Sequence, residues 1–310
     1  MKFGIHNPSW VYGSDPYAAF EGLKRKALAA EKQGFTWFSV MDHLIQIPGV
    51  GQPDEPFMEG WTVLSALAAV TSKLRLATLV SSVAYRNPAL LAKMAATVDV
   101  ISRGRVTFGI GGGWNEMEYR QYGWEFPAQP AVRIRQMEEA IRIALAMWQE
   151  PRATFHGRYF HIDAAILEPN PVQKPHPPVM IGGGGEQLTL RVVARLGDAC
   201  NLFGPPEMVA HKLAVLRRHC ETEGRDYANI EKTNLTSLLL ARDAAALKTK
   251  REQMGLPDQF RGYALTVAQA VDLVGEFEKA GSQMFIASFF KNDPETHALL
   301  AGDILPRFKA

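Results

Sequence analysis

The sequence lacks the features of several large classes of protein. It has only two cysteines in 310 residues, Cys200 and Cys220, without metal-ligand spacing, so we expect two buried thiols in a reducing, cytoplasmic setting. Its 34 basic and 32 acidic residues are mixed along the chain, which gives no electrostatic reason to expect nucleic acid or a membrane as a partner. The longest helical apolar run, residues 64–70, is too short to cross a bilayer. The first residues have no signal-peptide layout.

Named nucleotide and catalytic motifs are also missing. The dinucleotide fingerprint Gly-x-Gly-x-x-Gly fails in its last position, both from Gly182, where Gln187 stands, and from Gly109, where Trp114 stands. Neither the Gly-x-x-x-x-Gly-Lys of a P-loop nor the Gly-x-Ser-x-Gly of a serine hydrolase occurs. No histidines or carboxylates have metal-ligand spacing, so we expect no metal site.

A run of four glycines stands out among the features that are present. Three strand-forming residues, 179–181, lead into the glycines, and a helical pattern over 187–196 follows. A strand, a glycine turn and a helix together direct backbone N–H groups and the positive end of a helix dipole at one point, which favours an anion such as phosphate. The alternative is a tight turn without a ligand. We predict a phosphate site at Gly182, Gly183, Gly184 and Gly185.

Strand-type runs alternate with helical patterns along the chain. Eight runs are predicted strands: residues 2–7, 35–41, 74–81, 105–110, 179–181, 198–203, 232–240 and 284–289. Strands separated by helices pair in parallel through crossovers, and eight strands close a (β/α)8 barrel. We therefore predict an α/β fold of the TIM-barrel class, as a single domain over 1–310, with an open doubly wound sheet as the alternative.

The alternation lapses once, between the fourth and fifth strands. Residues 153–162 have the pattern of a hairpin, and residues 163–178 are rich in proline. Because the alternation resumes directly afterwards, we interpret 153–178 as an insertion segment and expect it to lie over the carboxyl-terminal mouth of the barrel.

The carboxyl ends of the strands are where a (β/α)8 barrel places its chemistry. Aromatic rings with a few polar groups gather there, which suits a flat heteroaromatic cofactor and a small-molecule substrate. We assign to the substrate pocket His6, Trp10, Glu59, Trp61, Tyr85 and Trp114.

His43, at the end of the second strand, is the predicted proton-transfer residue. An imidazole gives or takes a proton near neutral pH, and Asp42 beside it could fix the edge of a cofactor. The alternative is a histidine that caps a loop or bonds a backbone carbonyl. We interpret Glu116 and Glu118 as first-turn residues that stabilise the start of a short helix, with a catalytic role left open.

A set of stretches in one fixed order carries a family resemblance. They are residues 38–43 (Phe-Ser-Val-Met-Asp-His), 87–93 (Asn-Pro-Ala-Leu-Leu-Ala-Lys) with 96–99, 104–114, and 181–185 (Ile-Gly-Gly-Gly-Gly). Together they resemble the luciferase-like monooxygenase superfamily, and within it the branch that depends on the deazaflavin coenzyme F420. The set is specific for the superfamily, although no single stretch is.

The resemblance implies a (β/α)8 barrel with its insertion between strands four and five. A cofactor ring would sit at the mouth, with its phosphate on the glycine run and Gly111 and Gly112 among its contacts. A non-proline cis peptide near Leu79 and Val80 would back the ring.

The resemblance also implies roles at the second strand. Asp42 and His43 match the deazaflavin branch, in which the aspartate contacts the cofactor and the histidine is a proposed acid/base. One position departs from the pattern, because sugar-phosphate dehydrogenases of this branch have a glutamate where this chain has Trp114. We therefore expect an apolar or aromatic substrate and not a sugar phosphate.

Three functions follow as expectations. The first is an F420-dependent oxidoreductase that moves a hydride to or from a small organic substrate. The second is an FMN-dependent monooxygenase that receives reduced flavin from a partner reductase and uses O2. The third is a flavin-binding barrel without turnover. The resemblance further implies a homodimer.

Overall fold

Eight parallel strands form a closed ring in the computed structural model, which describes residues 1–13 and 15–308. Each strand pairs with the next along the chain, and the last pairs with the first. This closure confirms the predicted (β/α)8 barrel, and the open doubly wound sheet is wrong. The strands are β1 (Lys2–Asn7), β2 (Trp37–Val40), β3 (Arg75–Thr78), β4 (Val106–Gly111), β5 (Val179–Gly182), β6 (Ala199–Leu202), β7 (Glu231–Ala241) and β8 (Met284–Phe289).

Helices connect the strands. None of those in the described ranges combines the length and apolar character needed to cross a bilayer. Their bounds are Ala19–Gln33, Gly60–Val70, Pro88–Ser102, Glu116–Gln121, Pro130–Gln149, Thr189–Leu196, Pro206–Glu223, Ala244–Met254, Val267–Lys279 and Pro294–Leu299.

Local signals place several helix ends where the sequence predicts them. The Asn87 side chain accepts from the N–H of Ala89 at 2.9 Å, and Pro88 occupies the first helical turn. Gly34 ends the first helix with a φ of 89°, a left-handed conformation that glycine adopts without strain. The helix that begins at Pro294 does not continue unchanged to the end of the described residues. It passes after Leu299 into a π-helical turn and then a 3₁₀ turn.

Two apolar layers hold the barrel together. Alternate residues of each strand face the helices or the interior of the ring. The small interior cluster includes Trp37, Met180 and Ile286, whereas Phe38 and Phe285 belong to the larger cluster shared with the helices. A short additional strand, Tyr263–Thr266, pairs in parallel with β7 outside the ring of eight. The sequence pattern does not predict this strand.

The segment 153–178 lies on the outside of the barrel. Its antiparallel hairpin, Ala153–His156 with His161–Ala165, is anchored by Glu139 of the helix Pro130–Gln149, which accepts from three consecutive backbone N–H groups, 158–160, at 2.8 to 3.1 Å. Farther along, Gln173 bonds Asp99 of the helix Pro88–Ser102 at 2.7 Å.

These contacts place the segment beside two helices of the outer layer, and its expected position over the carboxyl-terminal mouth stays a prediction. The segment that follows β4 directly, residues 112–129 with the short helix Glu116–Gln121, is the one that begins at the mouth.

Candidate active site

His43 and Glu118 meet at the carboxyl-terminal rim. His43 follows β2, and its Nδ1 lies 2.6 Å from Oε2 of Glu118, a residue of the short helix after β4. The rings of His43 and Trp114 are 5.7 Å apart in an edge-to-face arrangement. The side chain of His43 is 13% exposed, so part of the imidazole remains accessible.

Glu118 is a buried carboxylate surrounded by donors. Its Oε1 accepts from the N–H of Leu44 at 2.6 Å. Its Oε2 accepts from the hydroxyl of Tyr85 at 2.6 Å and from the amide of Asn115 at 2.8 Å. Burial by itself raises the pKa of the Glu118 carboxyl, but the hydrogen bonds and charge of His43, with those from Tyr85 and Leu44, hold that pKa below its usual range. Glu118 therefore stays ionised at neutral pH.

The interpretation of Glu118 as a residue that only stabilises a helix start is incomplete. Its side chain bonds residues 74 and 75 positions away in the chain, which no local pattern could reveal. Its one sequence signal is its place shortly after a barrel strand. Glu116 by contrast lies on the surface and pairs with Arg120 at 2.6 Å.

Asp42 is buried in an ion cluster. Both of its carboxylate oxygens accept from Arg86 at 2.8 Å, and the Asp42 side chain has no exposed surface. Arg86 also pairs with Glu59. Burial lowers the pKa of Arg86, but the two carboxylates outweigh it and raise that pKa. Both oxygens of Asp42 are thus already bonded to Arg86, and the expected contact between Asp42 and a cofactor stays a prediction.

Glu59 caps a helix. Its carboxylate accepts from the N–H groups of Trp61 at 3.1 Å and Thr62 at 2.7 Å, at the start of the helix Gly60–Val70. Burial raises its pKa, but these bonds and the charge of Arg86 leave it lowered. Glu59 therefore has a structural role as a capping residue, and its place in the substrate pocket stays a prediction.

The predicted aromatic residues divide into core and mouth. Trp10 and Trp61 are each 1% exposed. Trp61 packs against Phe108 and donates its indole N–H to Ser81 at 2.8 Å. Both tryptophans are thus packed in the core, and their part in a substrate pocket stays a prediction. Tyr85 is buried as well, and its hydroxyl donates to Glu118. Trp114, by contrast, is 55% exposed and lies beside His43.

His6 lies in β1 beneath the rim. Its Nδ1 is 3.0 Å from the hydroxyl of Ser39, and it is only 4% exposed. Burial, reinforced by the charge of Lys26, lowers the pKa of His6 to about 3. His6 is thus neutral at physiological pH.

The glycine run combines three different requirements. A Cβ at Gly182 would lie 2.8 Å from Val80, so this glycine is needed for packing. Gly183 has a φ of 127° and donates its N–H to the carbonyl of Asn201 at 3.1 Å. At Gly184 a Cβ would meet nothing closer than Lys212 Cε at 3.7 Å. Within the described residues, the N–H groups of Gly184, Gly185 and Glu186 donate to no protein acceptor.

Residues 1–291 match the family model described as luciferase-like monooxygenase. The chain belongs to the luciferase-like monooxygenase family. It is 34% identical over 203 residues to an uncharacterized protein of Mycobacterium tuberculosis, covering 60% of this chain and 70% of that one. It is 33% identical to pyrimidine monooxygenase RutA of Allorhizobium ampelinum over 64% of this chain, and 31% identical to FMNH2-dependent dimethylsulfone monooxygenase of Pseudomonas putida over 56%. The chain spans only 55% and 46% of the length of these two monooxygenases.

Solved structures share the fold at low identity. The monooxygenase RslO1 from Streptomyces bottropensis superposes with a TM-score of 0.85 at 20% identity, covering 100% of both chains. An F420-dependent secondary alcohol dehydrogenase gives a TM-score of 0.79 at 21% identity, covering 99% of this chain and 98% of that one. Matches to the chain thus include both flavin-dependent and F420-dependent enzymes, and the chain is an oxidoreductase of this family.

One feature that the family resemblance implies is present in this chain. The peptide between Leu79 and Val80 is cis, which confirms the bond expected from the resemblance. Val80 then lies against Gly111, where a Cβ would be 2.7 Å away. Gly112 is close to Ile134, whose Cδ1 would be 2.8 Å from a Cβ at 112, so packing accounts for this glycine as well.

The residues present fit the phosphate that flavin and deazaflavin cofactors carry. Gly184 has neither a positive φ nor a close neighbour, so protein packing does not require a glycine there. Its missing side chain leaves open space in front of backbone N–H groups, as phosphate binding requires. Within residues 1–13 and 15–308, no three His, Cys, Asp or Glu side chains form a group that could hold a metal ion.

Proposed function

We propose that this protein is an F420-dependent oxidoreductase that transfers a hydride to or from a small organic substrate. The observation that carries the proposal is the imidazole of His43 at the barrel rim, held at 2.6 Å by the buried carboxylate of Glu118. Interconversion of a carbonyl and an alcohol needs a proton as well as a hydride, and a histidine fixed at the mouth supplies the proton-transfer group. The bound cofactor supplies the hydride chemistry.

The remaining residues of the mouth bind and orient the cofactor. The open N–H groups at Gly184 and Gly185 hold the cofactor phosphate. Val80, fixed between β4 and β5, forms an apolar support for a planar ring. These residues leave His43 on the accessible side of the site, where substrate enters.

The substrate is small and apolar or aromatic. Trp114 presents an exposed indole ring 5.7 Å from that of His43, and such a surface favours contact with apolar groups. Arg86, the cation that pairs with Asp42 beside His43, is buried and is already shared between Asp42 and Glu59. Arg86 is therefore not free to neutralise the charge of a phosphorylated substrate.

A second candidate is an FMN-dependent two-component monooxygenase. It is favoured by the relatives that are more than 30% identical to the chain, which include an FMNH2-dependent dimethylsulfone monooxygenase. The glycine run serves this function equally well, because FMN also ends in a phosphate. This candidate requires a partner reductase that delivers reduced flavin.

Cofactor titration distinguishes the two. The purified protein is titrated with F420 and with FMN, each in the oxidised and the reduced form, and binding is followed by fluorescence. Micromolar affinity for F420 with at least tenfold weaker binding of FMN is the expected result. Tighter binding of reduced FMN, together with O2 consumption when a flavin reductase is added, contradicts the proposal and selects the monooxygenase. A barrel that binds either cofactor but shows neither turnover of any alcohol or carbonyl nor O2 consumption contradicts both.

A further inference from the structure

We propose that Glu118 is a positioning residue that sets the tautomer of His43. It keeps a proton on Nδ1 and leaves Nε2 as the nitrogen that exchanges a proton with the substrate. This inference deepens the proposed function and rests on it, because there His43 moves the proton.

The donors around Glu118 determine which atom of the pair carries the hydrogen. Oε1 accepts from the backbone N–H of Leu44, and Oε2 accepts from the amide of Asn115. Those N–H groups can only donate, so the carboxylate is held in its ionised, acceptor-only form. A ring nitrogen 2.6 Å from such an oxygen must donate. The neutral imidazole then has its lone pair on Nε2.

Three contacts fix the direction of the ring. Nδ1 faces Glu118 at 2.6 Å and the hydroxyl of Tyr85 at 3.5 Å. Trp114 packs edge-to-face against the imidazole. The carboxylate also joins the loop after β2 to the helix after β4, so it places His43 and Trp114 relative to each other.

An isosteric substitution reverses the tautomer. In Glu118→Gln the amide oxygen must occupy the Oε1 position, where the N–H of Leu44 requires an acceptor. The amide NH2 then takes the Oε2 position and faces Asn115, Tyr85 and Nδ1 of His43. The Asn115 amide can flip and the Tyr85 hydroxyl can rotate to accept, which the backbone N–H of Leu44 cannot do. Nδ1 of His43 must likewise become an acceptor, with its proton on Nε2. A histidine in the wrong tautomer cannot accept a proton from the substrate, and the loss in kcat is on the order of a thousandfold. KM changes little, since the ring stays in place.

The test combines spectroscopy with kinetics on the full-length protein. The 15N shifts of the His43 ring, assigned with His43→Gln, are measured at a pH where the ring is neutral. We expect the proton on Nδ1 in the unsubstituted protein and on Nε2 in Glu118→Gln. Glu116→Gln is the matched control, because Glu116 lies in the same short helix and pairs only with exposed Arg120; it should keep both the tautomer and kcat.

Several outcomes overturn the proposal. A neutral His43 with its proton on Nε2 in the unsubstituted protein does so alone, even if Glu118→Gln fails to fold. So does a Glu118→Gln protein that retains the Nδ1 proton or full kcat. If the tautomer reverses as expected but neither cofactor supports turnover, the positioning role is supported and the proposed reaction fails. If F420 supports turnover but the tautomer does not reverse, the positioning role fails while the reaction is supported.

Discussion

Val80 lies so close to Gly182 that a Cβ at position 182 would be 2.8 Å from its Cγ2. Gly111 approaches the same valine from the neighbouring strand, with a Cβ distance of 2.7 Å. The two glycines therefore make room for a side chain of the protein itself. Their conversion to alanine tests packing, whereas substitutions farther along the glycine run test ligand binding.

We expect Gly182→Ala to destabilise the protein by about 1–3 kcal/mol, because Val80 cannot move without disturbing β4 and β5. Urea unfolding of the single variants and of the double variant Gly182→Ala with Val80→Ala measures the effect. The second substitution should recover at least about 1 kcal/mol relative to additivity. Purely additive losses would show that the two residues do not compete for space.

Gly183 and Gly184 should respond in opposite ways to alanine. Gly183 has a φ of 127°, so Gly183→Ala should destabilise the fold by about 1–3 kcal/mol. Gly184→Ala should change stability by less than about 0.5 kcal/mol, because its surroundings are open, but should weaken cofactor binding at least tenfold. Thermal unfolding and cofactor titration of both variants check this. Unchanged cofactor affinity in Gly184→Ala would place the phosphate elsewhere.

Arg86 should be far more important for stability than a surface arginine. Arg86→Met leaves the carboxylate of Asp42 buried without its partner, which costs about 3–5 kcal/mol. Arg120→Met is the control, since Arg120 and Glu116 are 76% and 49% exposed and such a pair contributes less than about 1 kcal/mol. Urea midpoints compare the two. Equal losses would contradict the buried cluster as an element of stability.

His6 should make stability depend on pH below neutrality. Its pKa in the folded protein is about 3, against 6.5 for an unperturbed histidine. Between these values the unfolded chain binds the extra proton, so stability falls as the pH is lowered from about 6.5 towards 3, with a slope of up to about 1.4 kcal/mol per pH unit. His6→Asn should give a shallower slope in urea unfolding between pH 4 and 7. His161→Asn, at an exposed position, is the control and should keep the slope of the unsubstituted protein.

Much of the fold follows from local chemistry. The eight strands, most helix bounds and the caps at Asn87 and Gly34 are set by alternation, proline and glycine over short windows. Cys200 and Cys220 are buried and free, as predicted. The cis peptide at Leu79 is expected from the family resemblance and not from any local pattern in the sequence.

Burial and hydrogen-bond partners at the site do not follow from position along the chain. Position after a strand does not show which way a side chain points, and the structure buries Trp10 and Trp61 in the core and uses Glu59 as a helix cap. The same uncertainty applied to Asp42, which faces Arg86. The hydrogen bonds of Glu118 are also not predictable from its position after β4, because its partners His43 and Leu44 follow a different strand, β2.

The amino-acid sequence by itself determined the parallel barrel, the glycine run after β5 and the presence of His43 at the mouth, since each depends on neighbours within about one helix and strand. Only the tertiary structure decided that Glu118 holds His43, that Arg86 neutralises Asp42 and that Val80 occupies the space left by Gly111 and Gly182. These contacts join residues brought together by ring closure, and hydrogen bonds and packing act over a few ångströms in space irrespective of distance along the chain.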